Sequence, residues 1–214
     1  NGFNVLQRAA SRVGGLDLSF KPGKKTSLNT SGILEAAASG DLEVVYLLGA
    51  DEIDTKNLGD AFVIYQGHHG DAGAHRADAI LPGAAYTEKN ATYVNTEGRV
   101  QRTTLATFPV GDAKEDWAIV RALSEVIGNT LPYDTLAQVR QRMVDINPIF
   151  SGGDELKNAE WGAFGAEGNI KEEPFRPVIE NFYMTDPISR ASITMAECTA
   201  TVNGDFKNEI ASDG

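Results

Sequence analysis

Residues 42–52, "LEVVYLLGADE", form a continuous apolar run that ends in glycine and acid. Polar and apolar positions do not alternate within it, and β-branched and aromatic residues open it. Such a run predicts a strand of a parallel sheet buried on both faces. "AFVIYQG" at 61–67 repeats the texture, and "ADAILPG" at 77–83 supplies a third, shorter strand. Short helical or looped connections separate them, which is the pattern of an α/β domain. Three strands are fewer than a doubly wound sheet needs, so the chain reads as the second half of such a domain.

Upstream, Phe3, Leu6, Ala10 and Val13 recur at spacings of three and four, predicting an amphipathic helix ended by Gly14-Gly15. A polar loop follows, and Ser31 is expected to cap a short helix stopped by Gly40. Downstream of Pro82 the texture turns to Thr, Tyr, Val and Asn, an extended segment with a turn near Glu97-Gly98. Two helices are expected next, over 112–127 and from an Asp134 cap to Ile146, the second stopped by Asn147-Pro148. Residues 151–181 show no sustained period. The expected organisation is therefore an α/β domain over 1–148, an irregular linker over 149–181 and a docking tail over 182–214. Within the tail, one short helix is expected after Pro187, and the last ten residues are expected to fray.

Composition narrows function by exclusion. Of 214 residues, 42% are apolar and 23% charged, ordinary for a globular chain with a packed core. The net charge of −11 and the lack of any basic run argue against a nucleic-acid partner. No apolar run is long enough for membrane insertion. A single cysteine, Cys198, excludes a disulfide framework or a Cys-ligated cluster within these residues. Asn1 opens the chain without a signal-peptide pattern and is read as the edge of a fragment.

The densest chemistry lies in "QGHHGDAGAHRADAIL" at 66–81, which holds His68, His69 and His75. Adjacent histidines diverge on any regular backbone, and no Cys or Glu completes a ligand spacing, so these imidazoles are expected to hydrogen-bond loop carbonyls. Gly67, Gly70 and Gly73 follow a strand in the manner of a phosphate-cradling loop, yet match neither dinucleotide nor P-loop spacing. The loop is expected to be tight and free of ligand, with a remodelled nucleotide pocket as the alternative. Asp51, Glu52 and Asp54 could reach a ribose or a cation, but are expected to be solvated loop acids. Cys198 lacks a neighbouring His and is not expected to be a nucleophile. No residue is assigned as catalytic, cofactor-binding or metal-ligating.

The text from "VVYLLGADE" through "YQGHHGDAGAHRADAILPGAAYTEKNATYVNTEGRVQ" to "DWAIVRALSEVIGNTLPYDTLAQVR", with "FYMTDPISRAS" in the tail, resembles the C-terminal part of the large iron–sulfur subunit of respiratory complex I. At greater distance, Ala77-Asp78, Leu81-Pro82, Glu88, Thr92, Asn95, Glu97-Gly98-Arg99 and Gln101 resemble the pattern of molybdopterin oxidoreductases such as formate dehydrogenase. The resemblance implies a Rossmann-like, molybdopterin-oxidoreductase-type domain that carries no cofactor of its own. The iron–sulfur clusters would lie in the N-terminal part of the subunit, on cysteines outside this chain. It further implies a scaffold in the peripheral arm of a proton-translocating NADH:ubiquinone oxidoreductase. That arm would lie on the matrix side of the mitochondrial inner membrane or the cytoplasmic side of the bacterial one. The partners would be the rest of the same subunit and other peripheral-arm subunits. An active formate-dehydrogenase-type enzyme is the alternative. Within the shared pattern, Asp78 and Pro82 are expected to bracket a sharply ended strand, Gly98 to take positive φ in a turn, and Arg99 to pair with Glu88.

Overall fold

The computed structural model describes residues 4–7, 9–23, 28–156, 158, 162, 167–169, 172–174 and 179–212, with side chains described to 202. Two compact units are distinguished, Asn1–Leu156 and Lys157–Gly214.

In the first unit, helix α1 (Arg12–Asp17) and helix α2 (Thr30–Ala38) precede strand β1 (Val44–Leu48). Strand β2 (Phe62–Gly67), helix α3 (Ala72–Arg76) and strand β3 (Ala79–Pro82) follow. The sheet is parallel with order β1-β2-β3, Val45 opposite Val63 and Tyr65 opposite Ile80. A parallel bridge from Gly83 to Lys114 prolongs it beyond β3. The three strands stand where the apolar runs predict them.

Their burial differs from expectation. Val45, Leu47, Val63 and Tyr65 point to one face and form a core with Leu58, Ala61 and Ala37 of α2. On the opposite face Val44, Leu48 and Phe62 are each about half exposed. Only the first face is covered along the strands, because α2, α3 and a 3-10 turn at Thr55–Asn57 all pack on that side; the other is covered at the C-terminal end of β2, where Gln66 is buried against Asp116.

Strands β4 (Thr92–Val94) and β5 (Val100–Arg102) pair antiparallel. Their turn contains Gly98 at φ +82°, as its position requires. Asn95 Oδ1 accepts from the amides of Glu97 and Arg99 to close it. Helices α4 (Asp116–Val126) and α5 (Leu136–Ile146) complete the unit. Val94, Val100 and Phe150 make a second core, packed by Val13, Leu18, Met143 and Val144. The second unit holds helices α6 (Pro187–Arg190) and α7 (Ile193–Ser212).

Several local expectations need correction. The first helix does not span 3–13: residues 4–7 are irregular, Leu6 is exposed, and α1 runs through Gly14-Gly15. An apolar stripe without a surface to pack against does not offset the cost of helix nucleation. Gly14 lets α1 pack closely on β4, since a Cβ there would meet Val94 Cγ2 at 3.0 Å. Asn29, not Ser31, caps α2, its Oδ1 accepting from the Gly32 amide. Thr135 caps α5 in a reciprocal box with Gln138, while Asp134 takes Arg121 Nη2 at 3.0 Å. The 112–127 helix begins only at Asp116, and α7 carries helical backbone to Ser212 where fraying is expected.

Candidate functional site

The C-terminal end of the sheet is where an open parallel fold collects ligands, and the loop of 66–81 lies there. Strand β1 delivers Asp51, β2 delivers Tyr65 and Gln66, and α3 delivers Gly73. Asp51 is not a solvated loop acid: it is buried at 7% exposure. Its Oδ2 accepts from Tyr65 Oη at 2.9 Å, and its Oδ1 accepts from the Gly73 amide at 2.9 Å. The protein's own carboxylate therefore occupies the amide that a bound anion would need.

The glycines have a corresponding role. A Cβ on Gly67 would lie 2.3 Å from Tyr65 Oη, and one on Gly73 would lie 2.7 Å from the Tyr65 ring and 2.9 Å from the Ala50 carbonyl. Gly70 would meet nothing within 4 Å. Two of the three glycines thus clear space for a buried tyrosine, and none is held open for a phosphate. The molybdopterin phosphates implied by the fold family do not fit this loop, because Tyr65 fills it and Asp51 satisfies it.

The histidines do not converge. The His68 and His69 rings meet edge-on with centroids 5.4 Å apart, and His75 is exposed in the last turn of α3. The Nδ1 atom of His69 takes no loop carbonyl: it is buried without a hydrogen-bond partner, while the His69 carbonyl accepts from Tyr65 Oη at 3.3 Å. Among the described residues no group of three or more His, Cys, Asp or Glu side chains could hold a metal ion. Glu52 is exposed, and Asp54 caps the 3-10 turn through the Lys56 amide at 3.1 Å. Cys198 lies partly buried in α7 as a free thiol.

A second polar cluster, which the sequence pattern does not reveal, sits on the other face of β2. Gln66 is fully buried; its Nε2 donates to Asp116 Oδ1 at 2.9 Å and its Oε1 accepts from Tyr46 Oη. Lys89 pairs with the same Asp116. Burial, reinforced by the Asp116 carboxylate, raises the Tyr46 hydroxyl above its ordinary range. This chain of contacts pins the start of α4 to the sheet. The available signal is a glutamine inside an otherwise apolar strand, since a buried amide must find partners.

The shared pattern residues act as fold-keeping contacts. Asp78 Oδ2 accepts from the Val63 amide at 2.8 Å, tying β3 to β2. Arg99 does not pair with Glu88. Its guanidinium donates to the Asp154 carbonyl at 2.9 Å and lies 3.6 Å from Glu97, while Glu88 accepts from the Ala85 amide at 3.0 Å. Glu88 ends a one-turn helix whose capping amide lies within its reach, and that local bond forms instead of a distant one.

A sheet of this type, its strand-end loop closed by its own side chains, has known relatives. Residues 1–126 match the family model "Molybdopterin oxidoreductase", and the chain belongs to that family. Residues 155–198 match a second family model, that of the C-terminal region of an NADH-ubiquinone oxidoreductase subunit. Within the family the chain is homologous to the large iron–sulfur subunit of complex I. It is 50% identical over 209 residues to the NADH-ubiquinone oxidoreductase 78 kDa subunit of Neurospora crassa, covering 94% of this chain and 27% of the relative. The Candida albicans 78 kDa subunit is 50% identical over 212 residues, and the Reclinomonas americana 75 kDa subunit 46% over 205. Each of these covers 94% of this chain, which spans 28% and 29% of them respectively. The chain thus spans under a third of the length of the relatives it matches. Among solved structures, acetylene hydratase from Pelobacter acetylenicus is similar at a TM-score of 0.44 and 18% identity, over 55% of this chain and 18% of its own.

Proposed function

We propose that this chain is the C-terminal, molybdopterin-like scaffold of the large iron–sulfur subunit of respiratory complex I, and that it carries no redox centre. The enzyme it serves oxidises NADH, reduces ubiquinone and translocates protons. Hydride and electron chemistry belongs to groups held elsewhere, with the iron–sulfur clusters in the N-terminal part of the subunit. The chain sits in the peripheral arm, on the matrix side of the mitochondrial inner membrane or the cytoplasmic side in bacteria. Among the described residues no helix is long and apolar enough to cross a membrane, which accords with that place. The organisation into an α/β domain over 1–148, a linker over 149–181 and a docking tail over 182–214 is part of this reading.

The observation that carries the scaffold role is Asp51, whose carboxylate consumes the Gly73 amide and the Tyr65 hydroxyl at the position where the fold would hold an anion. The kinship, at 46–50% identity, favours complex I over a formate-dehydrogenase-type enzyme. Two measurements on the full-length subunit test the proposal. Deleting residues 1–214 is expected to abolish assembly of the peripheral arm on native gels. Elemental analysis of the assembled subunit is expected to give iron without stoichiometric molybdenum or tungsten; finding either metal in stoichiometric amount overturns the scaffold role.

A further inference from the structure

The segment 105–113 shows large apolar side chains to solvent from a backbone that is held in place. Phe108 and Val110, on either side of Pro109, are 81% and 77% exposed. The Ala106 and Thr107 amides both donate to the Thr87 carbonyl, at 2.9 and 3.2 Å, and the Leu105 amide donates to Asn90 Oδ1 at 3.1 Å. At the other end the Lys114 amide donates to the Pro82 carbonyl at 3.1 Å, fixing the segment to the edge of the sheet. Phe108 and Pro109, with Leu105 and Ala118, line a cleft of about 490 Å³. The charged groups of that lining are Glu88, Glu115 and Lys114. Glu115 is held in place, accepting from the Asn90 amide at 2.9 Å and from Trp117 Nε1 at 2.6 Å. With Asp112 exposed in the same segment, acid outnumbers base around the cleft.

We infer that this segment docks another subunit of the assembled enzyme, one that sets an apolar side chain into the cleft and brings Lys or Arg to its rim. The inference rests on the functional reading above, and adds to it a surface and the chemistry of the partner that fits there. Apolar residues exposed singly are ordinary. Two large ones on a fixed backbone, beside a cleft with a charged rim, have the anatomy of an interface core, where aromatic side chains are enriched. A backbone already hydrogen-bonded at both ends loses little further freedom when a partner arrives, so more of the contact energy appears as affinity. The acid excess at the rim, together with the net charge of −11 on the chain, favours a basic surface and steers it toward the cleft. The same charge makes a second copy a poor occupant, because it would set −11 against −11.

The test uses the full-length subunit in the assembled enzyme, with a photo-crosslinking benzoylphenylalanine at Phe108 or, separately, at Val110. Incorporation of the parent subunit is scored first, and a parent that never enters complex I overturns the functional reading together with this inference. In enzyme that has incorporated the probe, irradiation is expected to capture a peptide of a different subunit in which Lys and Arg outnumber Asp and Glu. Capture of the same subunit, of a second copy or of an acidic peptide, or no capture at all, overturns the inference alone. Phe108→Ser, at an exposed position, should leave the Tm of the subunit unchanged, yet release the captured subunit from the enzyme at least ~10-fold faster than the parent does. Equal rates overturn the inference as well. Asp112→Lys should slow rebinding of that subunit at low salt and have little effect at high salt, where rim charges are screened; rebinding unchanged at low salt overturns the basic partner.

Discussion

Replacing Gly73 by alanine separates the two roles a strand-end glycine can have. An added Cβ would lie 2.7 Å from two ring carbons of Tyr65 and 2.9 Å from the Ala50 carbonyl oxygen. Tyr65 cannot yield, because it is 1% exposed and its hydroxyl is bonded to buried Asp51. Overpacking of this kind costs ~1–3 kcal/mol, and the tightness of the three contacts places it in the upper half of that range. Alanine returns ~1 kcal/mol of helix propensity at a position inside α3. The net expectation is a loss of ~1–2 kcal/mol, or ~2–8 °C in Tm for a domain of this size. Gly70→Ala, with nothing within 4 Å of its Cβ, should stay within ~0.5 kcal/mol of the parent. In a Tyr65→Ala background the Gly73→Ala penalty should shrink by ~1 kcal/mol, a coupling that a double-mutant cycle in urea reads directly. If Gly73→Ala and Gly70→Ala cost the same, or if the penalty survives removal of the ring, the glycines do not serve Tyr65 and the loop is not closed in the way described.

Other substitutions probe the same architecture. Tyr65→Phe removes one of the two donors to the Asp51 carboxylate and should cost ~1.5–3 kcal/mol by chemical denaturation. Gln66→Leu breaks the tie between β2 and α4 and leaves Tyr46 and Asp116 short of a partner, so hydrogen exchange should quicken at the start of α4 before the sheet core loosens. Tyr46 holds its proton more tightly folded than unfolded; the stability this contributes is complete below the unfolded value near 10 and is lost as pH rises through the folded value. Alkaline unfolding should therefore begin at higher pH in Tyr46→Phe than in the parent. Asp186 is held below its ordinary range chiefly by the Ser189 amide; its contribution is present above the unfolded value near 3.8 and fades as pH falls through the folded one. Asp186→Asn should accordingly flatten the acid limb of helix content attributable to α6.

Much of this architecture is legible in the sequence, for identifiable physical reasons. Each of the three apolar runs becomes a parallel strand; in β1 and β2 the aliphatic and aromatic residues bury alternate side chains, Val45, Leu47, Val63 and Tyr65, in one core. The Asn95–Arg99 turn is legible too, since only glycine takes positive φ at Gly98 without strain. The caps of α2 and α5 fall within two residues of the expected Ser31 and Asp134 but on other side chains, because neighbouring polar residues compete for the same amides. The mispredicted first helix has a different cause: its period is sound, but nothing among the described residues covers Leu6. Tertiary structure alone decides the site. Asp51 reads as one of three loop acids until the fold brings Tyr65 and the Gly73 amide to its two oxygens, from 14 and 22 residues away. The spacing of Gly67, Gly70 and Gly73 predicts a tight loop with a remodelled nucleotide pocket as the alternative; that the missing Cβ atoms of Gly67 and Gly73 make room for Tyr65 is visible only in the fold. Local pattern determines what a segment becomes; which charge fills which pocket depends on contacts distant in sequence, and only the folded chain supplies them.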